Sequence, residues 1–124
     1  MRKSPTFLLA ATLGALSFGF AAVSVYAQEK APAEPTGQQL AFDNKKGNCL
    51  ACHMIPGDSK AITSATIAPP LVAMKARFPD KAKLRAQIWD ATKANPMSVM
   101  PPFGKNQVLT DAELDKVLDY VYGL

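Results

Sequence analysis

The sequence predicts an all-α fold, a small helical domain, and three observations carry that prediction. No segment of the 124-residue chain alternates apolar and polar residues as a half-buried strand does. Prolines such as Pro69-Pro70 and Pro101-Pro102 exclude regular structure between the helical segments. Near the C-terminus four apolar residues share one helix face, namely Leu114, Val117, Leu118 and Val121.

The first half of the domain holds two predicted helices. One runs from about Gln39 to Lys45, with Leu40 and Phe42 as candidate buried residues, and ends near Gly47. The second is a short helix over Leu71 to Ala76, which begins directly after a pair of prolines. The first helix therefore leads into the segment that follows Gly47.

The second half holds two helices with clearer start signals. Asp80 follows a proline and precedes three apolar residues that lie on one side of a helix, Leu84, Ile88 and Ala91. Thr110 and Glu113 have the spacing of a capping box, which predicts the start of the last helix. Residues 95–104 between these helices form a predicted loop.

The N-terminus is typical of an export signal. Arg2 and Lys3 precede the apolar stretch Phe7–Val25, and Ala27 ends a small-residue cleavage site. We therefore expect a signal peptide over 1–27, a flexible leader over 28–38 and a folded domain over 39–124. An uncleaved membrane anchor is the alternative. Cleavage would leave a periplasmic protein with no further membrane-spanning segment.

Charge gives little support for a nucleic-acid partner. The formal net charge of the sequence is +4, and removal of Arg2 and Lys3 would lower it to +2. A balance this small produces no strong basic field. We therefore expect no nucleic-acid binding.

One pentapeptide, Cys49-Leu50-Ala51-Cys52-His53, uses both cysteines and the only histidine of the sequence. The spacing C-x-x-C-H is typical of covalent haem c attachment, because Cys49 and Cys52 lie on one side of a helical turn and can bind the two vinyl groups of one porphyrin. His53 then follows as an axial ligand of the iron. A covalently held macrocycle would also complete the core of so small a domain.

Three other interpretations of the pentapeptide remain weaker. A redox motif of the thioredoxin kind needs a βαβ context, which this sequence lacks. A structural zinc site needs about four Cys or His ligands. A disulfide between Cys49 and Cys52 would leave His53 without a role.

Met100 is the candidate for the second axial ligand. It precedes Pro101-Pro102, which push it into extended geometry and stiffen the loop. The alternatives are Met97, a ligand from another molecule, or no protein ligand at all. Met54 adjoins the histidine and cannot reach the opposite face of the haem, and Met74 has the spacing of a core residue.

The surroundings of the two ligands can be predicted in part. A ligating histidine usually donates its second ring N–H to an oxygen, and the carbonyl of Pro69 or Pro70 is a candidate acceptor. A simple turn after the loop is the alternative, and spacing alone favours neither interpretation. Gly104 is expected to let the backbone pass close to the haem ring. Ligation by His53 and Met100 would close both axial positions, which favours electron transfer over substrate chemistry at this iron.

Other residues have two interpretations each. Trp89 packs in the core or at the haem edge, or contacts a partner. Phe103 lies either exposed near the haem edge or packed in its loop. A set of six basic residues is either a docking surface or a solvated helix face, the latter being favoured: Lys75, Arg77, Lys81, Lys83, Arg85 and Lys93.

With these residues assembled, the chain resembles the class I c-type cytochromes. The order of N-terminal helix, C-x-x-C-H, Pro-Leu segment, methionine loop and C-terminal helix is the same. The resemblance implies that the carbonyl of Pro69 accepts from the axial histidine, although Ala68 replaces the family's usual glycine. It also implies that Phe42 and Tyr120 meet where the terminal helices cross.

Within that class the sequence is similar to the SoxX family. Three stretches carry the similarity: Lys46–His53, Pro69–Asp80 and Gln87–Gly104. The resemblance implies an electron-accepting subunit paired with a SoxA-like cytochrome in a heterodimer. Such a complex conjugates thiosulfate to a cysteine of a SoxYZ-like carrier, and the SoxX haem passes the electrons to a downstream acceptor. The family's conjugation chemistry is assigned to a haem with a cysteine-derived ligand in the SoxA subunit, and this sequence has no cysteine to spare for one.

Two further functions stay open at this point. A free periplasmic electron carrier would have the same haem site without a catalytic partner. A haem-based sensor would release Met100 so that the iron binds a small ligand.

Overall fold

The computed structural model describes residues 33–62 and 64–124. The predicted signal peptide (1–27) and residues 28–32 of the predicted leader lie outside this part of the chain. The described residues form four α-helices and two short 3-10 turns (Cys49–Ala51 and Ala91–Lys93), the helices being α1 (Gly37–Phe42), α2 (Met74–Arg77), α3 (Lys81–Trp89) and α4 (Asp111–Tyr122). The predicted all-α fold is confirmed.

The first helix begins earlier than predicted. Thr36 accepts from the backbone N–H of Gln39, and the Gln39 side chain accepts from the N–H of Thr36, so a capping box starts α1 at Gly37. The predicted boundary between leader and domain, after residue 38, therefore lies inside α1. The helix also ends at Phe42 instead of Lys45, because Asp43 takes an extended conformation.

The second helix begins later than predicted, at Met74 instead of Leu71. Ala73 has a left-handed backbone conformation with φ of 49°, which no α-helix can contain, and Met74 is therefore the first helical residue. The starts of the last two helices are as predicted. Asp80 accepts from the N–H of Ala82 at 2.9 Å, and Thr110 forms its capping box with Glu113.

The core centres on the crossing of α1 and α4. Leu40 and Ala41 of α1 and Leu114 of α4 are at most 2% exposed. At the same crossing the rings of Phe42 and Tyr120 meet edge to face, with centroids 5.9 Å apart and planes at 84°. This is the contact that the family resemblance implied.

Two glycines allow α1 to approach its neighbours closely. A Cβ on Gly37 would overlap the backbone carbonyl of Lys116, so α1 and α4 touch backbone to backbone. A Cβ on Gly47 would lie 2.8 Å from the carbonyl oxygen of Leu40, and the Gly47 N–H donates to that oxygen at 3.0 Å. The chain leaving α1 is thereby folded back against the helix.

Helix α3 packs on α4 through buried Leu84 and Ile88 and through ion pairs at the surface. Arg85 lies 3.0 Å from Asp111 and 2.7 Å from Asp115, and Lys81 pairs with Asp119. None of the helices in the described residues is long and apolar enough to cross a membrane.

Candidate haem site

The C-x-x-C-H pentapeptide lies on a tight 3-10 turn. Asn48, directly before it, has a left-handed conformation with φ of 45°, a conformation that asparagine tolerates better than most residues. The N–H groups of Cys52 and His53 both donate to the carbonyl of Cys49, at 3.1 and 2.8 Å. The three functional side chains are thus held on a single hydrogen-bonded turn.

A second segment runs beside this turn and is bonded to it. Ala65 donates to the carbonyl of Leu50 at 3.0 Å, and Ala68 donates to that of Cys52 at 2.9 Å. Ala68 and His53 form an isolated parallel bridge. The residue after Ala68 is Pro69, and the bridge therefore brings its carbonyl to His53.

His53 is held by this carbonyl through one ring nitrogen. Nδ1 lies 2.7 Å from the oxygen of Pro69. Because a carbonyl oxygen can only accept, Nδ1 carries the proton and Nε2 keeps its lone pair for a metal. The carbonyl of Pro70 has a different partner, Nη1 of Arg77 at 2.7 Å. The acceptor is therefore Pro69, as the family resemblance implied, and the contact of Pro70 with Arg77 was not predicted.

The two cysteines form no disulfide with each other and are half-buried. Burial raises the pKa of Cys49 to about 11; the negative charge of a Cys52 thiolate would add a smaller rise, and a backbone hydrogen bond opposes both. Redox-active C-x-x-C motifs show the opposite shift, a lowered pKa that produces a thiolate at neutral pH. The direction of this shift gives no support to a thioredoxin-like role.

A cavity of about 720 Å³ opens beside the pentapeptide. The side chains of Cys49, Cys52 and His53 line it together with the loop that carries Met100, and its lining is mostly apolar. The core contributes buried residues to the lining, Leu71, Met74, Leu84, Ile88, Phe103 and Val117. Both the volume and the apolar character suit a site for an organic cofactor.

The methionines take distinct places. Met100 lines the cavity and is half-buried, and its N–H donates to Oγ of Ser98 at 3.2 Å. Met97 also lines the cavity but is 86% exposed. Met74 is buried, as its spacing predicted, while Met54 is partly exposed and does not line the cavity.

These residues fit a covalently attached haem. Two thiols at the required spacing, an imidazole with a free Nε2 and a thioether all line one apolar cavity. Within residues 33–62 and 64–124 we find no group of three or more His, Cys, Asp or Glu side chains that could hold a metal ion directly.

The structure also places two neighbours of the predicted ligands, Phe103 and Gly104. Gly104 packs against the ring of Trp89, where a Cβ would overlap the indole, so the close approach that needs glycine here involves Trp89. Phe103 is 7% exposed and packs in the core, which settles its two interpretations in favour of packing.

Most of the six basic residues bind within the chain. Lys81 and Arg85 pair with carboxylates of α4, and Arg77 donates to Pro70. The ammonium groups of Lys75 and Lys81 both lie over the ring of Tyr122, at 5.7 and 5.5 Å from its centroid. Intramolecular contacts thus account for four of the six.

Comparison with known proteins places this site in a family. The model of the family described as cytochrome C oxidase, cbb3-type, subunit III, matches residues 35–121. An uncharacterized lipoprotein of Aquifex aeolicus (strain VF5) is 32% identical over 79 residues. That match covers 64% of this chain but 37% of the relative, so the chain spans little more than a third of that protein's length.

Among solved structures, a chain of SoxXA from P. pantotrophus has a similar fold. The TM-score is 0.63 at 24% sequence identity, and the match covers 73% of this chain and 82% of that chain. The family match includes the whole pentapeptide and the loop that carries Met100, and a c-type cytochrome family implies covalently bound haem c. The chain therefore belongs to the c-type cytochrome family described as cytochrome C oxidase, cbb3-type, subunit III.

Proposed function

We propose that this protein is the electron-accepting haem c subunit of a SoxAX-type complex, which conjugates thiosulfate oxidatively to a cysteine of a carrier protein. The observation that carries the proposal is the single apolar cavity lined by Cys49, Cys52, His53 and Met100. The likeness to a chain of SoxXA supports the choice of complex through the fold.

Each residue of the site has a role in this proposal. Cys49 and Cys52 would hold the haem through thioether bonds, and Nε2 of His53 and Sδ of Met100 would coordinate its iron. Pro69 keeps the proton of His53 on Nδ1, which orients the ring and increases its basicity. The bound haem supplies one-electron redox chemistry, and His/Met ligation raises its potential.

The chemistry of thiosulfate conjugation belongs to the partner in this proposal. Both cysteines of the sequence are used for haem attachment, which leaves none to act as a ligand or acceptor in conjugation. Coordination by both His53 and Met100 would leave the iron no open position for a substrate. We infer an electron-transfer role for this chain and the catalytic role for a SoxA-like subunit.

The mouth of the cavity supports a partner surface. Ile67, Met97 and Val99 line it and are 73%, 86% and 87% exposed. Large apolar side chains exposed together are typical of surfaces that another molecule covers. We propose that the SoxA-like subunit docks here in a heterodimer, with a SoxYZ-like carrier served by the complex and the electrons leaving to a downstream acceptor. Export by the signal over 1–27 would place the complex in the periplasm.

A free electron carrier is the second candidate. The family is described as a subunit of a different redox complex, and membership alone is compatible with several electron-transfer partners. A carrier would bind its partners transiently and would be isolated alone.

Isolation from its own host after growth on thiosulfate tests the proposal. We expect a native mass above that of one chain and co-isolation with a second, larger haem-staining chain. A lone monomer that carries one haem would overturn the subunit role and favour the free carrier. Failure of the chain itself to stain for haem would overturn the haem site.

A pair of surface variants locates the partner. Val99→Asp places a charge at the cavity mouth and should abolish co-isolation. Ile62→Asp is the matched control, since Ile62 is also 87% exposed but does not line the cavity, and it should leave the complex intact. Equal effects of the two variants would contradict docking at the cavity mouth.

A further inference from the structure

The loop over residues 95–104, called here the Met100 loop, is closed at its base on three consecutive residues, Trp89 to Ala91. At its start, the N–H of Asn95 donates to the carbonyl of Ala91 at 3.0 Å. At its end, the N–H groups of Gly104 and Lys105 donate to the carbonyl of Trp89 at 3.2 and 3.3 Å. Both ends of the loop are therefore bound at one point of the fold.

Asp90 lies at the centre of this closure and is a buried charge. It is 2% exposed, and among the described residues it is the single charged side chain that is buried. Its Oδ1 accepts from the N–H of Thr92 at 3.1 Å and from the Thr92 hydroxyl. Its Oδ2 is fully buried, and its one partner in the described part of the chain is the ammonium group of Lys105, which lies 3.1 Å away.

The two members of this ion pair differ in their access to water. The side chain of Lys105 is 59% exposed and can be solvated wherever the loop goes. Asp90 has no such access to water, because its Oδ2 would stay buried without a counter-charge if Lys105 moved away. The pair therefore favours the closed loop over any arrangement in which the end of the loop separates from α3.

We propose that the Asp90–Lys105 ion pair closes the base of the Met100 loop and thereby sets how firmly Met100 is held as an axial ligand. Neither residue lines the cavity, so both are positioning residues that act through the loop. The packing of Gly104 against Trp89 completes the same closure. The inference rests on the proposed ligation by Met100.

A foreign ligand provides the test, because it reaches the iron only when the Met100 loop opens. We would titrate the oxidised haem-loaded protein with imidazole at neutral pH and record the methionine-to-iron charge-transfer band. Asp90→Asn and Lys105→Gln should each raise the apparent affinity for imidazole about tenfold and weaken the band. Lys105→Arg keeps the positive charge and should therefore show the wild-type affinity for imidazole.

Asp119→Asn is the matched control. It removes a carboxylate from an exposed ion pair with Lys81, away from the Met100 loop. Its imidazole affinity should stay within about twofold of wild type. Thermal midpoints measured for all variants separate loop opening from general loss of stability. If Asp90→Asn fails to load haem, Lys105→Gln decides, since its ammonium group lies at the surface.

The outcomes separate the inference from the proposed function. One outcome is that Asp90→Asn and Lys105→Gln bind imidazole no more tightly than the Asp119→Asn control, while the wild type shows the band of Met100. This outcome would overturn the role of the ion pair and leave the ligation by Met100 standing. A wild-type protein without that band would overturn the ligation by Met100 and the inference with it.

Discussion

The α1–α4 crossing and the wall of the cavity are built in opposite ways. At the crossing, Gly37 brings two backbones into contact, and the rings of Phe42 and Tyr120 meet over the junction. At the cavity, half-buried thiols and exposed apolar side chains such as Val99 surround a space of about 720 Å³. The crossing is complete with amino acids alone, whereas the cavity wall is shaped for a group that amino acids do not supply.

This difference identifies where stability and function reside. The crossing holds the ends of the described domain together and contributes no ligand. The cavity wall contributes every proposed ligand, and apolar burial there depends on the cofactor. We expect variants of the two regions to separate stability from redox properties.

The largest effect should follow from loss of covalent attachment. Cys49→Ser combined with Cys52→Ser removes both thioether bonds, and the cavity wall then lacks its permanent filling. Of the roughly 5–15 kcal/mol of stability typical of a domain, we expect most to be lost. Circular dichroism during thermal unfolding measures the loss of stability, and haem staining of the denatured chain measures the loss of covalent attachment. Cooperative unfolding near the wild-type temperature would show that the crossing alone maintains the fold.

An intermediate effect is expected at the crossing itself. Gly37→Ala places a methyl group against the backbone carbonyl of Lys116, which cannot rotate away, and should cost about 1–3 kcal/mol or more. Denaturant unfolding of the haem-loaded protein measures this loss. The haem potential should stay unchanged, because Gly37 does not line the cavity.

Gly57→Ala is the matched control for Gly37. A Cβ at Gly57 meets nothing within 4 Å, and its φ is not positive. Stability should be unchanged or raised by under about 1 kcal/mol, through the smaller entropy of the unfolded chain. Equal losses for both glycines would contradict the close contact of α1 and α4.

The smallest effect concerns the hydrogen bond between the crossing and the neighbouring loop. The Tyr120 hydroxyl donates to Oδ2 of Asp58 at 2.6 Å, and Gln38 donates to the same oxygen. Tyr120→Phe removes one donor and should cost about 1 kcal/mol at neutral pH. Denaturant unfolding at several pH values measures this loss.

The same contact predicts a pH dependence. The Tyr120 hydroxyl, then Gln38, hold the pKa of Asp58 below its usual value. A carboxyl whose folded pKa is lowered stabilises above its unfolded pKa of about 3.9, and this contribution is lost as pH falls through the folded pKa. The difference between wild type and Tyr120→Phe should therefore narrow in acid. A difference that grows in acid would contradict this assignment.

Prediction from sequence succeeded where the signal is local. The capping box at Thr110 and the cap at Asp80 each involve residues within three positions, and α4 and α3 begin as predicted. A capping box at Thr36 and Gln39 gives the same kind of signal and was overlooked, which displaced the start of α1. The start of α2 depended on the left-handed Ala73, which no sequence pattern indicated.

The sequence by itself determined the haem chemistry and the helical class, because C-x-x-C-H and the apolar period are encoded over a few residues. The family resemblance implied Pro69 as the partner of His53, and the tertiary structure shows the reason, since the bridge between His53 and Ala68 aligns Pro69 while Arg77 binds the carbonyl of Pro70. Only the tertiary structure decided that Gly104 packs against Trp89 and that Asp90 forms an ion pair with Lys105. The contacts of Gly104 with Trp89 and of Asp90 with Lys105 each join residues 15 positions apart, and at that separation the path of the intervening chain, more than local spacing, determines which side chains meet.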